Sequence, residues 1–135
     1  MKNFIIIIVA IVFILIPVKA QVSVIANKSV SETVNVSKVA NIYSLTLTKW
    51  SSGSKIVVFD NNSEAKTNFY KEIGKDQMSL KKEWMKKQLT GEAKAPEALG
   101  SDDEVISKVS STPGAIGFVK SSSVNANVKV LVELK

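Results

Sequence analysis

Two uninterrupted apolar runs of strand length, Ile56-Val57-Val58-Phe59 and Ala115-Ile116-Gly117-Phe118-Val119, constrain this chain most. A strand with one wet face alternates apolar and polar residues, so a run without polar interruption has to be covered on both faces. The chain between them supplies the cover. Asp60-Asn61-Asn62-Ser63 reads as a loop and helix cap, followed by a helix from Glu64 to Ile73 that Gly74 closes. A second helix starts near Ser79, buries Leu80, Trp84 and Leu89, and ends at Thr90-Gly91. Ala93 to Gly100, with Pro96, reads as a polar connector. Ser101-Asp102-Asp103-Glu104 has the pattern of a capping box and opens a helix with the stripe Val105, Ile106, Val109, which Thr112-Pro113-Gly114 stops.

Outside this middle portion, Val22 to Ala26 reads as a strand ended by Asn27, Ser29 and Ser31. Ser37 caps a short helix carrying Val39, Ile42 and Tyr43. After a loop from Ser121 to Asn127, Val128 to Leu134 alternates as a last strand. Strands separated by helices require crossover connections, so the expected fold is α/β, a three-layer unit with a mainly parallel sheet.

Composition bounds the chemistry. The 135 residues contain neither Cys nor His, which removes Ser-His and Cys-His nucleophile pairs, thiolate or imidazole metal sites, haem and iron–sulfur ligation. All 18 basic residues are Lys, so the planar fork that grips phosphate or carboxylate through two bonds is missing as well. No Asp or Glu is expected inside an apolar segment that would tune it for acid–base work. A non-enzymatic binding or interaction protein, without cofactor or metal, is the reading that remains. Scattered lysines with no aromatic–basic array argue against nucleic acid.

The first twenty residues read as an export signal: Lys2, an apolar run of 13 residues from Phe4 to Ile16, Pro17, then Val18-Lys19-Ala20. A bilayer span needs roughly 20 residues, so no stable transmembrane anchor is expected after cleavage. The expected organisation is a signal peptide over 1–20 and one domain over 21–135, secreted across the inner membrane to the periplasm or the extracellular space. Losing Lys2 and Lys19 gives 16 − 12 = +4 for the mature chain.

Two segments are candidate ligand sites. At Asn61, Asn62, Ser63 and Lys66, the free amides of a helix start, side-chain donors and a cation one turn in can cradle an anion. An ordinary cap with a solvated lysine accounts for the same residues, and Glu64 favours it by competing with an anion. Asn27 and Ser29 follow a strand end, where open α/β sheets bind ligands, and equally make a plain polar loop. Lys81, Lys82, Lys86 and Lys87 read as a solvated helix face, with contact to anionic lipid or a membrane partner as the alternative. Trp50 and Trp84 have the spacing of core residues. Asp102, Asp103 and Glu104 are explained by the capping box rather than by a metal. Gly114 and Gly117 lack the Lys-Ser/Thr of a phosphate loop and read as a tight turn and a close helix–strand contact.

Several of these residues occur in an order seen elsewhere. Ile42-Tyr43-Ser44-Leu45, Trp50 and Gly53, a strand ending at Phe59, a Ser63-led helix with Phe69, Trp84 with Leu89 and Gly91, and Pro113-Gly114-Ala115-Ile116-Gly117-Phe118-Val119 together resemble the phosphate-type substrate-binding proteins of bacterial ABC transporters. The resemblance spans nearly all of the chain after residue 20 and is most specific in its closing segment. It implies a periplasmic-binding-protein-like lobe that captures phosphate or a similar small oxyanion outside the cytoplasm. The alternative is an envelope protein that keeps the fold without the ligand and acts through a protein partner or self-association. Phosphate-binding members close two lobes on the ion, whereas 115 residues make about one lobe. Where those members share a Ser-Gly-Thr type loop, this chain has Asn62-Ser63-Glu64.

Overall fold

The computed structural model describes residues 21–135. The signal peptide expected over 1–20 lies outside the described residues. Along the chain come β1 (Val22–Ala26), α1 (Val36–Tyr43), β2 (Val57–Asn61), α2 (Ala65–Glu72), α3 (Gln77–Leu89), β3 (Glu97–Leu99), α4 (Asp102–Ser111), β4 (Ala115–Lys120), a 3-10 turn (Ser121–Ser123) and β5 (Lys129–Leu134). The strands form one sheet in the order β3-β2-β4-β1-β5. β2 is parallel to β3 and to β4, and β1 is antiparallel to both β4 and β5. It follows that β2, β3, β4 and β5 share one direction and β1 alone opposes them. Val22 pairs with Leu134, and the Gln21 amide donates to the Leu134 carbonyl at 2.9 Å.

Each central strand sends alternate side chains to opposite faces, as its pleat dictates. Val22, Val24 and Ala26 of β1 and Ile116 and Phe118 of β4 join the core made with α1, α2 and α3, whereas Ile25, Ala115 and Val119 join the core made with α4. The run Ala115 to Val119 is buried throughout between helices, as its composition requires, whereas in the first run Ile56 and Phe59 are buried and Val57 and Val58 are half-buried. The larger core is aromatic: Phe69 stacks on Phe118 with centroids 3.8 Å apart, and Tyr43 meets Phe69 edge-on at 4.7 Å. Such pairs contribute about 0.5–1.5 kcal/mol each beyond their buried area. Trp50 and Trp84 are core residues, their indole N–H groups donating to the carbonyls of Gly114 at 2.9 Å and Tyr43 at 2.6 Å.

Two glycines in the closing segment are required for different reasons. Gly114 has φ +77°, and a Cβ there would lie 2.5 Å from the Lys55 carbonyl oxygen. Gly117 lets α4 lie flush on β4; a Cβ would come within 2.7 Å of Val105 Cγ1, so its close neighbour is a side chain of that helix.

Several local expectations are corrected. Helix α1 is capped by Asn35, whose side chain accepts from the Lys38 amide, and α3 by Asp76, which accepts from the Ser79 amide; both precede the expected starts, because an Asx oxygen was available sooner. Leu89 is 81% exposed rather than buried, since the buried stripe of α3 ends at Trp84. The connector from Ala93 to Gly100 contains strand β3. Lys87 leaves the solvated lysine face: its Nζ donates to the carbonyls of Ser44 and Leu45 at 3.1 and 3.0 Å, satisfying groups at the end of α1.

Candidate functional site

The loop from β2 to α2 emerges at the C-terminal end of β2, beside the end of β4, and the start of α4 lies against it. Asn61 is fully buried. Its amide nitrogen donates to Asp102 Oδ1 and to the Phe118 carbonyl, both at 2.8 Å, while its own Oδ1 accepts from the Ser63 amide at 2.9 Å. Ser63 Oγ donates to the same Asp102 Oδ1 at 2.7 Å. The other oxygen of Asp102 accepts from the Lys120 amide at 3.1 Å and from Ser123 Oγ at 2.8 Å. Four donors, from the end of β2, the loop before α2, the end of β4 and the 3-10 turn, thus converge on one carboxylate. Burial pushes the Asp102 carboxyl up, but the bonds from Asn61, Ser63, Ser123 and Lys120 outweigh it and hold the group below the usual range. Its place in the first turn of α4 also favours the charged form.

A second carboxylate completes the knot. Asp60 is 2% exposed and bonds the Tyr70 hydroxyl at 2.7 Å, its neighbour's amide at 2.9 Å and Lys66 Nζ at 3.1 Å. An acidic residue therefore does sit inside an apolar surround, contrary to the composition-based expectation. It follows the apolar run of β2 directly, and the period-2 pattern carries that position into the core. Tyr70 is held far above the ordinary phenol range, by burial first and by the adjacent Asp60 charge second.

The sequence-predicted residues are placed as follows. Asn61, Asn62, Ser63 and Lys66 lie together, but the side-chain donors of Asn61, Ser63 and Lys66 are engaged within the chain. Lys66 spans Asp60 and Asn62 Oδ1, the latter at 2.7 Å. The Asn62 amide donates to the Leu99 carbonyl at 2.8 Å, tying the loop to β3. Glu64 is exposed and pairs with Lys120 at 3.0 Å. Asn27 and Ser29 are elsewhere. Because β1 runs against its neighbours, its C-terminal end meets the start of β4, and the Asn27 amide donates to the Ala115 carbonyl. That is about four residues, or roughly 13 Å, from Asn61 along the sheet. There the Asn27 side chain caps the last carbonyls of α4, Val109 at 2.8 Å and Ser110 at 3.0 Å, and Ser29 Oγ accepts from the Gly114 amide at 3.1 Å.

Asp60, Asp102, Lys120 and Ser123 are the site residues that sequence reasoning missed. Three acids in one helical turn exceed what a capping box uses, which is the local signal Asp102 offered; its partners, 39 and 41 residues away at Ser63 and Asn61, left none. Of the two cavities described, the one touching this loop is a pocket of about 300 Å³ lined by Glu64, Asn68, Lys120 and Ser121 among others. The Asn68 amide nitrogen on its wall is buried without a hydrogen-bond partner. A larger cleft of about 670 Å³, lined by Leu45, Ile56, Val57 and Ala93, lies at the opposite end of β2, away from the polar cluster.

No family model and no curated protein matches this sequence. Solved structures do resemble the fold. One is a protein assigned as a phosphate ABC transporter substrate-binding protein from Clostridium perfringens, solved with bound phosphate; TM-score 0.67 at 17% identity, covering 83% of this chain and 44% of that one. An ABC-type phosphate transport receptor from Vibrio cholerae gives 0.65 at 18%, covering 83% and 45%, and PstS from Borrelia burgdorferi gives 0.60 at 17%, covering 83% and 46%. This chain spans less than half the length of each, and it shares the fold of part of these phosphate ABC transporter substrate-binding proteins.

Proposed function

We propose that the chain is an extracytoplasmic, non-enzymatic solute-binding-protein-like lobe, exported through the signal in residues 1–20. In this reading α1–α3, the sheet and α4 are the three layers of the lobe. Its oxyanion position is the cradle of Asn61, Ser63, the Lys120 amide and Ser123, with phosphate as the first candidate ligand for ABC-type uptake. The observation that supports this is the convergence of four donors on one carboxylate, because a donor set that holds the charged oxygens of Asp102 has the chemistry to hold those of an oxyanion. The same observation weakens capture: phosphate has to displace a tethered anion, and one lobe cannot exclude water from the ion. Binding by the monomer is therefore weak, about 10 μM to 1 mM, and salt-sensitive.

Calorimetric titration with phosphate, sulfate and chloride tests it. Asp102→Ala, checked by circular dichroism to be folded, frees the donors and removes the competing charge, so phosphate affinity rises by about tenfold or more. A second reading, an envelope interaction protein that keeps the fold, draws support from the self-satisfied cradle. If neither the wild type nor Asp102→Ala takes up any of the three anions, that second reading replaces the first.

A further inference from the structure

Helix α3 carries an apolar stripe on its outer side that the core does not use. Among the described residues, five large apolar side chains are exposed, and three of them lie on this helix: Met78 at 68%, Met85 at 65% and Leu89 at 81%. At 3.6 residues per turn these three fall within about 40° of one another and run about 16 Å along the helix. Leu80 and Trp84, which anchor α3, point the opposite way. Lys81, Lys82 and Lys86, all exposed, flank the stripe on both sides within about 80°. Glu83, the single acid of α3, falls well outside that arc.

We propose that this face of α3 docks on an anionic phospholipid surface. Methionine and leucine side chains enter the boundary between headgroups and acyl chains, and the flanking ammonium groups meet lipid phosphates while their methylene stems cover apolar surface. Charge complementarity selects this occupant. The exposed stripe holds no Trp, Tyr or Arg, the residue types that anchor protein interfaces, and the charged residues on its flanks are all lysine, beside the neutral Gln88. Docking through α3 leaves the Asn61–Asp102 end of the sheet out of the contact, so it is independent of the solute-binding reading.

The chain has no Cys, so one introduced thiol can be labelled alone. A polarity-sensitive fluorophore is placed on the chain after removal of residues 1–20, at Met85→Cys and, as control, at Ser107→Cys, an exposed position on α4. With phosphatidylcholine vesicles containing phosphatidylglycerol, the label at 85 moves to blue emission and the label at 107 does not. Replacing Lys81, Lys82 and Lys86 together by Gln lowers the partitioning reported at position 85 by roughly 100-fold, as three surface-bound lysines imply. An equal response to pure phosphatidylcholine overturns the proposal. So does a label at 85 that stays in water while the chain is vesicle-bound, or one that shifts with protein concentration in the absence of vesicles, which marks self-association instead.

Discussion

The two ends of the sheet solve the same problem, satisfying polar backbone where strands meet helices, with different chemistry. At the Asn61 end the donors gather on two carboxylates, and the buried Asp60 is balanced by Lys66. At the Asn27 end the links through Asn27, Ser29 and Trp50 are neutral, an amide on the carbonyls of Val109 and Ser110, a serine on the Gly114 amide and the Trp50 indole on the Gly114 carbonyl, and a charged link beside them is Lys129 Nζ on the Val30 carbonyl at 3.0 Å. Neutral links are indifferent to pH and salt over the ordinary range. Carboxylates are not, and a group that charge holds in place can be replaced by another charge. Of these two sets of links, the carboxylate-centred one is the more sensitive to pH and salt.

The sharpest way to break this comparison is Asp60→Ala. It strips the partner from a half-buried ammonium and from the buried Tyr70 hydroxyl, and urea denaturation should show a loss of about 3–5 kcal/mol. A loss near zero would mean that Lys66 simply swings to solvent and that the pair does not hold this end. Gly114→Ala attacks the neutral links, where positive φ and the 2.5 Å approach to the Lys55 carbonyl leave no room for a Cβ. The expected cost is about 3 kcal/mol, and it should be the same at low and high salt. A salt-dependent cost would bring electrostatics into links described here as neutral.

The smallest effect sharpens the contrast through pH. A carboxyl whose folded pKa is depressed contributes stability above its ordinary pKa and loses it as pH falls through the folded value. Glu32, drawn down by Lys38, and Asp76, drawn down by Ser79, share this behaviour with Asp102. Wild type should therefore lose more stability on acidification than Asp102→Asn does, the difference isolating one carboxylate. Identical acid slopes in thermal melts would show that Asp102 does not respond to protonation.

Much of the architecture was legible in sequence because burial on two faces writes itself as unbroken β-branched runs. The strands around Val58 and Ile116 needed nothing more, while those around Ile25 and Val132 showed as alternation and α4 by its Ser101 cap. What was not legible is long-range. Alternation in Val22 to Ala26 announces a strand but not its direction, and that direction alone moves Asn27 and Ser29 from the candidate site to the far end of the sheet. Strand β3 is three residues long and follows Pro96, too brief for any period to register. At the site, the loop was found from its cap-like residues, yet whether its donors were free depended on Asp102, which chain folding brings from 41 residues away.

The pairing of β1 with β5 sets where the chain enters and leaves. Val22 lies opposite Leu134, so residues 21 and 134 are hydrogen-bonded neighbours and the described region starts and finishes side by side. A body with adjacent entry and exit can be spliced as a unit into a loop of another protein, or have its ends joined by a short Gly/Ser bridge and be reopened in the turn Ser51-Ser52-Gly53-Ser54, without redrawing a strand. Modularity of this kind is a property of connectivity, and it would survive the loss of any ligand.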